Sequence, residues 1–178
     1  MIIYVISGKA RHGKDTTALY IKKAYKNKKV INLSYGSYIK MYAKNISNWD
    51  GCEETKPREL LQKLGTDIIR KNIDDNFFIK RICDDIKVYS YFYDVITISD
   101  ARFINEIEIV KKSFQNVISI NVIRDNYLTN LKENEQKHLT ETALDGYNNY
   151  DYVIHNDKDL KSLEKKVLDI VEKVEHEY

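Results

Sequence analysis

The sequence contains a single proline and six glycines in 178 residues, so the places where the backbone can turn sharply or tolerate a left-handed residue are few. It has two cysteines, Cys52 and Cys83, far apart and with no C-x-x-C spacing. Neither a disulfide framework nor a zinc site is expected, and a reducing, cytoplasmic setting fits. It has no surplus of either charge: 29 Lys and Arg stand against 27 Asp and Glu, a net charge of +2. That balance argues against nucleic acid and against an anionic membrane surface as partners. No apolar run reaches the roughly 18–20 residues of a membrane span. The N-terminal MIIYVIS has no basic stretch before its apolar residues and reads as a buried strand, not a leader. There is no linker-like composition, repeat or low-complexity stretch, and the length suits one domain.

What the sequence does have is an alternation of short β-branched runs with longer amphipathic ones. Strands are expected at Ile2–Ile6, Val30–Leu33, Val95–Ser99, Val117–Val122 and Tyr152–His155. Helices are expected at Thr16–Lys26, with Ala18, Leu19, Ile21 and Ala24 inward, and at Tyr35–Ile46, Phe77–Val88 and Ile104–Phe114. Pro57 opens a further helix, at the position where a missing N–H costs least, with Leu60, Leu61, Leu64 and Ile68 as its apolar face. In the last helix Leu160, Leu163, Val167, Ile170, Val171 and Val174 share one stripe. Strand–helix alternation of this kind predicts an α/β fold on a parallel sheet with right-handed crossovers.

Four segments carry chemistry. The first is SGKARHGKDTTA, residues 7–18, which holds the G-x-x-x-x-G-K frame of a phosphate-binding loop between a strand and a helix. Backbone N–H groups turned inward, the positive end of the following helix and the mobile cation of Lys14 together suit the phosphates of a nucleotide. Asp15 stands where the pattern has a hydroxyl for Mg²⁺. Thr16 and Thr17 follow directly, and either Thr16 or Asp15 is expected near the metal, Asp15 through a water. The alternative is a strand, turn and helix with a merely basic loop. The second segment is VITISDARFINE, residues 95–106, where Asp100 stands at the carboxyl edge of a sheet, the edge at which ligands bind. Asp100 is a candidate to hold Mg²⁺ through water, and Arg102 to hold a phosphate bidentately. The alternative makes Asp100 a helix cap and Arg102 its surface partner.

The third segment is KPRELLQKLGTDIIRK, residues 56–71, in which Arg58, Gln62, Thr66 and Arg70 recur at four-residue steps and so share a helix face. Gly65 inside that helix costs about 1 kcal/mol relative to Ala and points to close approach by a ligand or a second helix. The fourth is the polar stretch 124–145, with Arg124, Lys132, Lys137 and His138, which suits a lid that brings cations over phosphates. A plain surface loop would have the same composition, and His138 is expected to cap or face solvent rather than act as a base.

In their order and spacing GKARHGKDT (8–16), LSYGSYIKMYA (33–43), RELLQKLGTDIIR (58–70), SDARFINE (99–106) and HLTETALD (138–145) resemble the deoxynucleoside monophosphate kinases of the phage and bacterial type. GKD in place of GK[ST] is common in that family. The resemblance implies a three-layer α/β/α P-loop NTPase fold with a five-stranded parallel sheet. It implies one kinase domain over residues 1–178, with a helical monophosphate-binding region at 34–90 and a lid at 124–141. It implies ATP and Mg²⁺ as cofactors, a nucleoside monophosphate as acceptor and, by analogy alone, a homodimer. Carried over by position, Gly8, Lys9, Ala10, Arg11, His12, Gly13, Lys14, Asp15 and Thr16 would bind the ATP phosphates, and Asn156 would lie near the adenine. Arg58, Gln62 and Arg70 would line the acceptor site beside Ser34 and Tyr35. Arg102 would hold the acceptor phosphate, and Arg124 with Lys132 or Lys137 would close over the group in transfer. The animal-type phosphomevalonate kinases are similar in the same segments, so a non-nucleotide phosphate is a second class of acceptor. Dephospho-coenzyme A kinase is a more distant alternative, and a nucleotide-binding module without transfer is a third class.

Overall fold

A computed structural model describes residues 1–125, 127 and 136–178. Five strands form one parallel sheet in the order β2-β3-β1-β4-β5: β1 (Ile2–Ser7), β2 (Val30–Leu33), β3 (Val95–Ala101), β4 (Val117–Ile123) and β5 (Tyr152–His155). β1 is central and buried on both faces, which is why its residues are apolar without alternation. Ile2, Tyr4 and Ile6 pack with helix α1 (Lys14–Ala24) and the C-terminal helix α7 (Leu160–Glu177). Ile3 and Val5 pack on the other face with α4 (Phe77–Tyr89) and α5 (Ile104–Ser113). A short α6 (Leu139–Thr142) lies between β4 and β5 in the chain.

The three layers are those the sequence predicts, with differences in which side chains turn inward. In α1 it is Tyr20 that is buried, while Leu19 is 49% exposed, and in α7 Leu160 is exposed at the helix start. The larger difference lies in the helix after Pro57. It begins as α3 (Arg58–Gln62) and continues as a π-helical stretch, Lys63–Arg70, stacked beside α2 (Tyr35–Ser47). A π turn takes five residues where an α turn takes four, so the inward face moves on by one position. Ile69 is therefore buried at 5% exposure, and Ile68, which the α-helical spacing selects, is out at 37%. Gly65 is where the stretch meets α2: a Cβ there would stand 2.8 Å from Ile39 Cδ1. Beneath this contact Ala43, Trp49 and Leu64 form a small core of their own.

A second irregularity positions the site. Val5 pairs with Ile98 but Ser7 pairs with Ala101, so β3 carries one residue more than β1 at Ser99–Asp100. Such a bulge re-aims side chains at a strand end. Here it lies beside the phosphate-type loop, at the carboxyl edge of the sheet. Ser99 is almost fully buried and Asp100 partly so.

The shift of phase in the π-helical stretch has a direct test. Ile69→Ala should destabilise the protein by about 2–5 kcal/mol, as core truncations of this size do. Ile68→Ala should stay within about 0.5 kcal/mol. Urea unfolding of the two variants distinguishes this register from an unbroken α-helix, which would reverse their order.

Candidate active site

The loop between β1 and α1 forms one wall of the candidate site. Gly8, Arg11 and Gly13 have φ of 144°, 61° and 105°. At Gly8 a Cβ would meet the Val122 carbonyl oxygen at 2.4 Å, and at Gly13 it would meet the Asn156 amide nitrogen at 2.7 Å. Gly8 is thus demanded by close packing against the backbone of β4 as well as by its backbone angle, and Gly13 chiefly by its backbone angle. Asn156 braces the loop by donating from Nδ2 to the His12 carbonyl at 2.9 Å. His12 Nδ1 in turn accepts from the Arg124 backbone N–H at 3.1 Å, and Tyr127 lies between the His12 ring and the Arg124 guanidinium. Burial lowers the His12 pKa, consistent with a neutral ring accepting that bond.

Lys14 is buried, and its ammonium donates to the Lys9 carbonyl at 2.8 Å across the loop. Burial, and after it the nearby Arg102 guanidinium, lower its pKa to about 8. Among the described residues no carboxylate pairs with it directly, which leaves its ammonium available to a phosphate. Asp15, exposed at the mouth, accepts from Ser99 Oγ at 3.0 Å. Ser99 Oγ accepts from Asn32 Nδ2 at 3.1 Å, and Asn32 Oδ1 accepts from Thr97 Oγ1 at 2.8 Å. A chain of hydrogen bonds thus runs from the buried end of β3 to the acid after Lys14. Thr16 is half-buried, and Thr17 is turned back, donating to the Gly13 carbonyl at 3.0 Å.

Asp100 spends its carboxylate on the start of α2, accepting from Ser34 Oγ at 2.7 Å and from the Tyr35 and Gly36 N–H groups at 2.9 Å each. It caps α2, not the helix that follows it in sequence. For a divalent cation the direct donors that fit are the free oxygen of Asp15 and the Thr16 hydroxyl, with Asp100 in reach through a water, the sparse protein ligation Mg²⁺ commonly takes. Among the described residues no three of His, Cys, Asp and Glu gather into a metal cluster.

Against the loop opens a cleft of about 1020 Å³, lined by Lys14 and Asp15, by Ser99, Asp100 and Arg102 of the β3 end, and by Ser34, Tyr35, Arg58, Gln62, Thr66 and Arg70. Arg58 is exposed. Arg70 is buried: it forms an ion pair with Glu106, donates to the Asp75 carbonyl at 2.9 Å and stacks 3.9 Å from the Phe103 ring centre. Glu106 is buried too, and its other oxygen accepts from the N–H groups of Arg102 at 2.6 Å and Phe103 at 3.1 Å. Burial pushes its carboxyl up to about 7 against the pull of Arg70. Arg102 meets Glu141 Oε1 at 2.6 Å, and Glu141 Oε2 accepts from the Ala10 N–H at 3.0 Å. Lys9 pairs with Asp145 at 2.8 Å. Lys132 lies outside the described residues. Lys137 is exposed just ahead of α6, where His138 caps the helix by accepting from the Thr140 N–H.

The structure thus brings the loop, Arg102, Ser34, Tyr35, Arg58, Gln62 and Arg70 onto one cleft. It puts Arg124 and Asn156 behind the loop beside His12. The sequence did not single out Ser99, Asn32, Glu106 or Glu141 as site residues. Ser99 alone had a local signal, its place at a strand end before Asp100. The others look like ordinary strand or helix-surface residues until the fold gives them partners.

Known proteins agree with this architecture. A shikimate kinase from Bacteroides thetaiotaomicron superposes with a TM-score of 0.57 at 14% identity, covering 98% of each chain. A gluconokinase from Sinorhizobium meliloti gives 0.57 at 13% identity, covering 99% of this chain and 94% of its own. The tunicamycin resistance protein of Deinococcus radiodurans gives 0.54 at 10%, covering 96% and 95%. At these identities the likeness establishes the fold. Among curated proteins none matches the sequence. No helix among the described residues is long and apolar enough to cross a membrane. The family model for deoxynucleotide monophosphate kinase matches residues 26–167, from ahead of β2 into α7. The chain belongs to the deoxynucleotide monophosphate kinase family and is a phosphotransferase of the P-loop kinase fold.

Proposed function

We propose that this protein transfers the γ-phosphoryl group of ATP to a deoxynucleoside monophosphate held in the helical region 34–90, with segment 124–141 closing over the pair. One observation carries the reading: a single cleft of about 1020 Å³ is lined by the phosphate loop, by Arg58, Gln62 and Arg70 of the α3 and π-helical wall, and by Arg102. That volume is at the upper limit of sites that hold one small ligand, and it suits two.

The chemistry follows from the placement. Backbone N–H groups of the loop and the start of α1 take the β- and γ-phosphates, and Lys14 adds charge that grows in importance as the β–γ bridge breaks. An oxygen of the acceptor phosphate, oriented by Arg102 and Arg58, donates its electron pair to the γ-phosphorus. The bond from that phosphorus to the bridging oxygen breaks, and its pair leaves on ADP. No general base is required, because the attacking oxygen is already anionic. Mg²⁺, held near Asp15 and Thr16, would supply charge neutralisation on the phosphates. Arg70, already paired with Glu106, shapes the acceptor wall and fixes the turn that presents Arg102.

A panel of deoxynucleoside and ribonucleoside monophosphates with phosphomevalonate, assayed by acceptor-dependent ADP release, tests this reading. Turnover with deoxynucleoside monophosphates is expected; turnover with phosphomevalonate alone would reassign the acceptor. Lys14→Ala should lower kcat by on the order of a hundredfold to a thousandfold, and an active variant would refute the role of the loop.

Because Lys14 in the ligand-free protein has a pKa near 8 and bound phosphates favour its charged form, nucleotide affinity should be greatest below that pH. Above it, Kd should rise by up to about tenfold per pH unit, as calorimetric titration between neutral and alkaline pH can show. The two arginines of the acceptor wall should separate. Arg58→Ala should raise the acceptor KM with little change in thermal stability. Arg70→Ala should cost about 3–5 kcal/mol in urea unfolding, because it leaves Glu106 buried without its partner.

A further inference from the structure

The phosphate loop and Arg102 are already bridged by an anion of the protein itself. One oxygen of Glu141 accepts from the Ala10 N–H at 3.0 Å, and the other takes the Arg102 guanidinium at 2.6 Å. The glutamate side chain is 12% exposed and that of Arg102 24%. Its segment is tied to the loop a second time, by Asp145 on Lys9 at 2.8 Å, and the Thr140 carbonyl also faces Arg102 Nη1 at 3.4 Å. A carboxylate that takes one N–H of an anion-binding loop with one oxygen and an arginine with the other makes the contacts of a phosphoryl group. The point it occupies lies between the nucleotide loop and the arginine of the acceptor side, where the group in transfer would pass.

We propose that the Ala10 N–H and Arg102 together form the subsite of the transferring phosphoryl group, and that Glu141 is its resident anion in the ligand-free enzyme. The inference rests on the kinase reading given above and adds to it a residue that governs entry to the site. A carboxylate and a phosphoryl group cannot share these donors, because the like charges would repel at contact distance. ATP must displace Glu141, and the fraction of molecules with Glu141 already withdrawn sets the apparent affinity. ADP has no γ-phosphoryl group and leaves the subsite to the glutamate. The resident carboxylate thus penalises the triphosphate alone. It also keeps Arg102 from holding a stray anion, and it delays assembly of the transfer site until a γ-phosphoryl group arrives.

The test compares Kd values for ATP, ADP and tripolyphosphate in the wild type, Glu141→Gln and Glu141→Ala by isothermal titration calorimetry, with far-ultraviolet circular dichroism to confirm folding. Glu141→Gln keeps the side-chain shape and removes the charge; Glu141→Ala removes both. Both variants should bind ATP and tripolyphosphate at least about fivefold more tightly than the wild type, with ADP changed less than twofold. Equal or weaker ATP binding in the two folded variants, beside normal binding by the wild type, would overturn the role of Glu141 and leave the kinase reading intact. If the wild type binds neither ATP nor tripolyphosphate, the phosphate-loop reading fails and this inference fails with it. An equal gain for ADP would place Glu141 outside the γ-phosphoryl position and overturn the assignment of the subsite.

Discussion

The ion pair between Glu106 and Arg70, buried against the ring of Phe103, is the interaction on which the helical wall of the cleft depends. Removing two charges from water is costly, and it is tolerated only where every remaining polar atom finds a partner. Here that condition is met by the segments that form the site. The second oxygen of Glu106 takes the N–H groups of Arg102 and Phe103, its backbone carbonyl accepts from the Tyr35 hydroxyl at 2.8 Å, and Arg70 reaches the Asp75 carbonyl. The turn after β3, the π-helical wall and the start of α2 are thereby fixed to one another through a single glutamate. The position of Arg102 is a consequence of that network rather than of its own side-chain contacts.

The π-helical register belongs to the same constraint. It turns Thr66 and Arg70 inward together with Leu64 and Ile69, and Gly65 lets α2 approach closely enough to cover them. A regular α-helix through these residues would give a different set of buried side chains. Local departures from regular geometry of this kind are frequent at functional sites because they aim side chains that a regular element cannot. The bulge in β3 does the same for Ser99 and Asp100. One is turned toward the phosphate loop through Asp15 and the other toward the start of α2.

Electrostatically, several charges in and beside the ligand-free cleft are already partnered from within. Arg70 has Glu106, Arg102 has Glu141, Lys9 has Asp145, and Asp100 has the N–H groups of α2. Lys14 differs in resting on a carbonyl, and burial, with the nearby Arg102 guanidinium, lowers its pKa. A phosphate that enters meets Lys14 without a carboxylate to displace and must compete at Arg70 and Arg102. Exchange of internal partners for ligand oxygens, more than attraction to an open positive field, is the physics of binding in such a cleft, in keeping with a chain of nearly balanced charge.

The sequence by itself determined the sheet and the phosphate loop. Both rest on local rules: continuous β-branched runs for strands buried on two faces, and glycines followed by Lys14 where a strand passes into a helix. The grouping of Arg58, Arg70 and Arg102 came from the resemblance of their segments to a known family, not from the α/β pattern, and the structure sets all three on one cleft. The tertiary structure alone decided the phase of the helix after Pro57, the use of Asp100 as a cap for α2, and the partners of Glu106 and Glu141. Each of these depends on a contact between residues distant in the chain: Gly65 with Ile39, Asp100 with Ser34, Glu141 with Ala10. A buried carboxylate and a surface carboxylate read alike in one dimension. Only packing, which sets the cost of leaving a charge or an N–H group unsatisfied, tells them apart.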